Sequence, residues 1–148
     1  MRAVFQRVAS AEVRSEGRAT GRIGPGAVIL LGVDRTDTAA DAAKLADKVA
    51  KLRVFDDAEG KMNLPISAVP GAKFIVVSQF TLHGDARKGN RPSYIEAASP
   101  EQAEPLYEIF VAGLRNQGFV VETGVFRTAM QVELVNDGPV TILLDTKE

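Results

Sequence analysis

The stretch GPGAVILLGV, residues 24–33, decides the fold, because a sharp turn leads directly into an uninterrupted apolar run. Glycine and proline together break any regular element, so residues 24–26 predict a turn. Residues 27–33 are apolar apart from one glycine, which is typical of a strand buried on both of its faces. A sheet with a buried inner strand is therefore predicted.

The hydrophobic period changes after this strand. Apolar residues three and four apart share one face of a helix predicted over residues 38–53, namely Ala42, Leu45, Val49 and Leu52. Thr38 and Asp41 have the spacing of a capping box at its start. A second helix is predicted to begin at Ser99 as N-cap and to stop at Gly118, with Pro105 as a point where it kinks or begins late.

Strand-like segments surround the two helices. They cover residues 3–13, 18–23, 74–77, 130–135 and 140–144, and the tetrapeptide NDGP at 136–139 predicts a hairpin turn between the last two. Residues 55–72 contain glycines and prolines and are predicted to be a long irregular connection. The order β-β-β-α-β-α-β-β predicts one α+β domain over residues 1–148, with a largely antiparallel, barrel-like sheet and two main helices.

Composition removes several classes of chemistry. The 148 residues include no cysteine and one histidine, which excludes thiolate nucleophiles, disulfides, iron–sulfur clusters and multi-histidine metal sites. Eighteen Lys and Arg against nineteen Asp and Glu give a net charge of −1, and 45% of residues are hydrophobic, as in an ordered globular domain. No apolar run approaches the roughly 18 residues of a membrane span, so a cytoplasmic protein is expected.

Three groups of polar residues are candidate sites. The loop at 83–92 holds the cations Arg87, Lys88 and Arg91, which either contact a polyanion or form a solvated loop. The acids Asp56, Asp57 and Asp85 are the candidates for a carboxylate-dependent hydrolase. His83 and Asp85 could form a base and its orienter, although their spacing favours an ordinary loop histidine.

Several motifs, in order along the chain, resemble one family. The segments SQFTL at 78–82 and NDGPVT at 136–141 resemble the two signature motifs of the D-aminoacyl-tRNA deacylases. GKMNL at 60–64, RPS at 91–93 and MQV at 130–132 resemble further family segments, and the similarity extends over essentially the whole chain. Residues 127–129, Arg-Thr-Ala, depart from the small residues and acid usual between the family's Phe and Met.

This resemblance implies a homodimeric hydrolase without a metal or cofactor. Members cleave the ester between a D-amino acid and the terminal adenosine of tRNA. The family resemblance further implies that Gly138 and Pro139, joined by a cis peptide bond, enter the partner's active site and exclude L-amino acids. An achiral glycyl ester is expected to pass the same filter.

The same resemblance assigns the site residues. The catalytic segment is Ser78, Gln79, Phe80 and Thr81, the chiral filter is Gly138 and Pro139, and Phe126 and Met130 correspond to the family's Phe and Met. Arg87 and Lys88 join the predicted substrate-binding residues on the separate ground that the basic loop can contact tRNA phosphates. Thr81 either acts as the nucleophile, or takes no chemical part while backbone amides and a substrate hydroxyl carry out the reaction. Because an aminoacyl ester is already activated and few bases are available, the mechanism without a covalent intermediate is favoured. A non-catalytic RNA-binding module and a carboxylate-dependent hydrolase are the rival functions.

Overall fold

The computed structural model describes residues 1–148 and contains eight strands and two α-helices. The strands are β1 (Arg2–Ser15), β2 (Arg18–Ile23), β3 (Gly26–Gly32), β4 (Phe55–Asp56), β5 (Met62–Leu64), β6 (Lys73–Ser78), β7 (Val121–Thr123) and β8 (Met130–Asp145). The α-helices are α1 (Ala39–Lys51) and α2 (Pro100–Asn116). Short 3-10 helices cover Ile66–Ala68 and Phe80–His83. None of the helices has the length and apolar content needed to cross a membrane.

The long strand β1 organises the main sheet. One edge of β1 pairs antiparallel with β3 and β2 in succession, and the other edge pairs antiparallel with β8. The sheet continues from β3 to β6 and β7 by parallel pairing. Gly21 of β2 lies so close to β7 that a Cβ there would be 3.0 Å from Cβ of Glu122. The sheet therefore curls into a nearly closed barrel, which confirms the predicted α+β class with two main helices.

The buried strands separate two hydrophobic clusters. Along β3 and β6, Ala27, Ile29, Phe74 and Val76 face the larger cluster, which the two α-helices cover. The alternate residues of these strands, Val28, Ile75 and Val77, face a smaller cluster on the other side. The two-sided burial explains the continuous apolar run in the sequence. A Cβ on Gly113 would lie 3.0 Å from Cβ of Ala46, so this glycine allows the α-helices to approach closely.

The helix termini follow the sequence signals. Thr38 is the N-cap of α1, and its N–H donates to the Asp41 carboxylate at 2.8 Å. Ser99 is the N-cap of α2, which continues through Pro105 and ends one residue before its C-cap Gln117. Gly118 follows with φ +92°, a conformation in which glycine carries little steric cost.

Two predictions for irregular segments are wrong. The tetrapeptide at 136–139 does not make a hairpin, because β8 continues through it as one strand paired with β1. Val8 pairs with Asn136 and Gln6 pairs with Thr141. The four residues 137–140 therefore form a bulge opposite the single residue Arg7. Residues 55–72 are also less irregular than predicted, since β4 and β5 pair within them.

Candidate functional site

A cavity of about 630 Å³ opens beside the end of β6. Its walls come from the end of β6, the segment before α2, the start of α2, the turn after β7 and the start of β8. Five of the predicted site residues line it, namely Ser78, Gln79, Phe80, Phe126 and Met130. The fold therefore brings together two motifs that lie about 50 residues apart in the sequence.

The floor of this pocket is the point where β6 gives way to a 3-10 helix. Strand β6 ends at Ser78, one residue beyond the strand predicted over 74–77, and the Gln79 N–H donates to the Leu31 carbonyl at 2.8 Å. The chain then turns into the helix Phe80–His83. Because the first N–H groups of a helix have no acceptor within it, the amides of Phe80 and Thr81 are available to another acceptor.

Thr81 lies at the surface beside the pocket. Its side-chain oxygen accepts a hydrogen bond from the Gln79 amide, and the residue is exposed. His83 is buried, with Nδ1 3.8 Å from Oδ2 of Asp34, and it does not pair with Asp85 as a base with its orienter. The expectation of an ordinary loop histidine is also wrong, because His83 closes the 3-10 helix against the core.

Two residues that the sequence did not single out shape the pocket wall. The hydroxyl of Tyr107 donates to the Val76 carbonyl at 2.8 Å, and its ring packs against Phe126 with centroids 5.9 Å apart. Burial raises the pKa of Tyr107. Gly124 contacts the Met130 sulfur at the place where a Cβ would stand. Tyr107 and Gly124 thus position Phe126 and Met130, two of the predicted binding residues. In the sequence, Tyr107 looks like an ordinary core aromatic residue and Gly124 like a turn glycine.

Residues 127–129, which depart from the residues usual in the family, lie in the turn that borders the pocket. Arg127 has φ +64°, and both Arg127 and Thr128 line the cavity. Oγ1 of Thr128 bonds Oγ of Ser15 at 2.7 Å and donates to the Val125 carbonyl at 2.9 Å. These hydrogen bonds hold the turn against β1, so the pocket wall has a defined structure although residues 127–129 are unusual for the family.

The basic loop is closed at its base and carries free charges at its tip. Backbone hydrogen bonds of 2.8 Å in both directions join Asp85 to Ser93. Arg87 donates to both Asp85 oxygens, at 2.9 and 2.7 Å, and lowers the pKa of Asp85 to about 2. Lys88 and Arg91 are exposed and form no salt bridge, so they are the cations that this loop leaves unpaired.

The bulge in β8 is held by one buried arginine. Arg7 donates from Nε to the Asp137 carbonyl at 3.0 Å and from Nη1 to the Val54 carbonyl at 2.8 Å and to Oδ1 of Asp56 at 3.2 Å. The peptide bond between Gly138 and Pro139 is cis, and both residues are exposed. Neither residue lines the pocket of its own chain.

The three acids proposed for a carboxylate-dependent site have separate local partners. Asp56 pairs with Arg7, and Asp85 pairs with Arg87. Asp57 accepts the N–H groups of Glu59 and Lys61 at 2.9 and 3.0 Å, which closes the turn between β4 and β5. No group of three acidic or histidine side chains is placed to hold a metal ion. This geometry gives the rival hydrolase no assembled site.

The chain is similar to curated proteins over its full length. A family model described as D-Tyr-tRNA(Tyr) deacylase matches residues 4–145. The D-aminoacyl-tRNA deacylase of Anaeromyxobacter dehalogenans (strain 2CP-C) is 63% identical over 147 residues, covering 99% of this chain and 98% of that protein. The D-aminoacyl-tRNA deacylase of Symbiobacterium thermophilum is 60% identical, covering 100% of this chain and 97% of that protein.

Two solved structures have a similar fold. The c-Myc DNA Unwinding Element Binding Protein superposes with a TM-score of 0.90 at 38% identity, covering 98% of each chain. A probable eukaryotic D-amino acid tRNA deacylase superposes with a TM-score of 0.79, covering 97% of each chain. Its 17% identity makes that second likeness one of fold alone.

Proposed function

The chain belongs to the D-Tyr-tRNA(Tyr) deacylase family, and from this membership we propose how its pocket and its bulge share the hydrolysis of D-aminoacyl-tRNA. It is a D-aminoacyl-tRNA deacylase, a hydrolase acting on aminoacyl-tRNA. The proposed functional unit is one domain, residues 1–148, working as a homodimer in the cytoplasm, where charged tRNA is used. No metal or cofactor enters the proposed reaction.

The pocket beside β6 takes the aminoacyl end of the tRNA in this proposal. Water adds to the ester carbonyl carbon, and the amides of Phe80 and Thr81 donate to the oxyanion that develops. Each such donor is worth about 3–4 kcal/mol of transition-state stabilisation. The bond to the ribose oxygen then breaks, and that oxygen takes a proton, which gives the free amino acid and tRNA. The vicinal ribose hydroxyl lies next to the reacting carbonyl and assists without a protein base.

The bulge acts as the chiral filter of a second subunit. The observation that carries this proposal is that Gly138 and Pro139 are exposed, are anchored by buried Arg7 and lie outside their own chain's pocket. Their backbone carbonyls would meet the substrate's α-carbon in the partner's pocket, where they exclude an L side chain. Selection by backbone atoms suits an enzyme that accepts many side chains, and glycyl-tRNA is expected to pass because its α-carbon is achiral.

The test is hydrolysis of D-tyrosyl-tRNA, L-tyrosyl-tRNA and glycyl-tRNA, each with and without EDTA. We expect the D and glycyl esters to be cleaved, the L ester to survive, and EDTA to have no effect. Binding of tRNA without turnover would instead support the RNA-binding module. Loss of turnover with EDTA would support the carboxylate-dependent hydrolase.

Replacing Thr81 separates the two mechanisms. Thr81→Ala is expected to keep substantial deacylation, with a loss of at most about tenfold from local repacking, because the amides and the substrate do the chemistry. Thr81→Val, which keeps the branched shape, is the matched variant and should behave alike. A nucleophilic Thr81 would instead make both variants inactive and would allow an acyl-enzyme to be trapped in the wild type.

The basic loop is proposed to contact tRNA phosphates mainly through Lys88, because Arg87 is already paired with Asp85. Lys88→Ala should weaken tRNA binding and should reduce the slope of log K against log salt by about 0.7–0.9, the value for one phosphate contact. Arg87→Ala should change this slope less. Lys61→Ala, which removes an exposed charge from the β4–β5 turn, serves as the control. Equal slopes for Lys88→Ala and Lys61→Ala would contradict the assignment.

A further inference from the structure

Two exposed aromatic rings stand at the rim of the pocket. Phe80 and Tyr94 both line the cavity and are 56% and 41% exposed. Their centroids are 5.3 Å apart with the rings at 69°, so they form an edge-to-face pair. Burial of large apolar rings is favourable, and two of them left open beside a pocket indicate a surface that a ligand covers.

The position of Tyr94 is set by the loop beneath it. A Cβ on Gly84 would lie 2.9 Å from Cε1 of Tyr94, so the ring lies directly against the backbone of this glycine. The hydrogen bonds between Asp85 and Ser93 close the same loop immediately before Tyr94. The ring is therefore held in place before any ligand arrives, which lowers the entropy cost of binding to it.

The surroundings of this aromatic pair favour a nucleic acid strand. The loop that supports Tyr94 carries the unpaired cations Lys88 and Arg91. Aromatic rings beside positive charge are the combination with which proteins bind single-stranded nucleic acid, the rings stacking on bases and the cations meeting phosphates. The substrate supplies such a strand, because the 3′ end of tRNA that bears the amino acid is unpaired.

We propose that Tyr94, supported by Phe80, stacks on the base of the nucleotide that precedes the terminal adenosine. This inference rests on the proposed function, in which the aminoacyl-adenosine occupies the pocket next to Ser78 and Gln79. The preceding nucleotide then leaves the pocket across its rim, where Tyr94 lies. Stacking there is independent of the base's identity, since every base has an aromatic face.

The experiment compares D-tyrosyl-tRNA with D-tyrosyl-adenosine, which lacks the preceding nucleotide. Tyr94→Ala should lower kcat/KM for the tRNA about tenfold more than it lowers kcat/KM for the adenosine ester, and the additional loss should lie mainly in KM. Tyr94→Phe keeps the ring and should match the wild type on both substrates. Ile95→Ala, which removes an apolar side chain that is 68% exposed, is the matched control and should also match the wild type.

A second arm uses the unaltered protein. A D-tyrosyl-tRNA with an abasic site next to the terminal adenosine should lose about the same factor of ten with the wild type. It should lose nothing further with Tyr94→Ala, because the two changes remove one contact. Equal effects of Tyr94→Ala on both substrates, or full activity on the abasic tRNA, would overturn the stacking role alone. Absence of wild-type turnover on every D-tyrosyl ester would overturn the proposed function and this role with it.

Discussion

Gly138→Ala is expected to lower kcat/KM for D-aminoacyl-tRNA by about 100-fold, while the fold is retained. Gly138 has φ +127°, and a Cβ there would lie 2.7 Å from Cγ2 of Val140 and 3.1 Å from Nη2 of Arg7. Val140 and Arg7 are both buried, so the bulge must shift outward instead. A displacement of about 1 Å is enough to remove the proposed carbonyls from the α-carbon that they test.

Gly17→Ala is the matched control for this substitution. Gly17 also has a positive φ, +80°, but no atom lies within 4 Å of where its Cβ would stand. It should therefore lose some stability and no activity. Circular dichroism and thermal unfolding establish that both variants fold. A Gly138→Ala protein with normal turnover and normal D-over-L discrimination would contradict the role given to the bulge.

Mixing two inactive chains tests whether the bulge works across subunits. Ala97→Trp should fill the pocket, because Ala97 lines it, and should leave the bulge intact. A dimer of one Gly138→Ala chain and one Ala97→Trp chain would combine an intact pocket with the partner's intact bulge. Random mixing should then restore about a quarter of wild-type activity, since half of the dimers regain one of two sites. No recovery, with mixed dimers present, would place the bulge in its own chain's site.

Arg7→Met is expected to destabilise the protein by about 3 kcal/mol and to abolish most of its activity. The Arg7 side chain is 8% exposed, and its guanidinium holds the carbonyls of Asp137 and Val54. Methionine fills much of the volume but leaves both acceptors without that donor. A single mutation thus removes the hydrogen bonds that tie the bulge to the segment after α1. Urea unfolding and kcat/KM measure the two effects.

Arg14→Met, in the same strand, is the control for Arg7→Met. Arg14 is 32% exposed and pairs with Glu133, which is 69% exposed, and with Glu12, which keeps Arg22 as a second partner when Arg14 is replaced. Surface ion pairs contribute about 0–1 kcal/mol, so this variant should unfold almost as the wild type does. The free energy of unfolding of Arg7→Lys should lie between those of Arg7→Met and Arg14→Met, because an ammonium group keeps the charge but cannot reproduce the planar set of guanidinium donors. Equal stability of Arg7→Met and Arg14→Met would show that Arg7 is not the anchor.

The elements with strong local signals were predictable from the sequence. Both α-helices begin at the predicted N-caps, because the Asp41 carboxylate accepts the Thr38 N–H and the Ser99 hydroxyl accepts the Gln102 N–H. The buried strand at 27–33 was also predictable, since only two-sided burial requires an unbroken apolar run. The bulge was not, because NDGP satisfies the local preferences of a hairpin and only the pairing partner distinguishes the two structures. That partner is β1, more than 100 residues earlier.

The candidate site was predictable by resemblance and only partly by physical reasoning. Ser78 to Phe80, Phe126 and Met130 meet in one pocket, as the family motifs imply. The contribution of Tyr107 depends on its contact with Phe126, which no spacing in the sequence reveals. His83 shows the same limit, since its partner Asp34 lies at the end of another strand. Contacts between distant segments are set by tertiary packing, and a single sequence does not encode them in a local pattern.

The pairing of β1 with β8 also bears on how the protein is made. Arg2 lies opposite Asp145 and Ser15 opposite Met130, so one whole edge of the first strand is matched by the last. On the ribosome this edge stays unpaired until β8 has emerged, whereas the contacts of β1 with β2 and β3 form earlier. Contacts between such distant segments form slowly. The nascent chain is therefore most prone to aggregate in the interval before β8 pairs with β1. A messenger RNA truncated within the β8 codons would yield a product with an unpaired strand edge that favours aggregation.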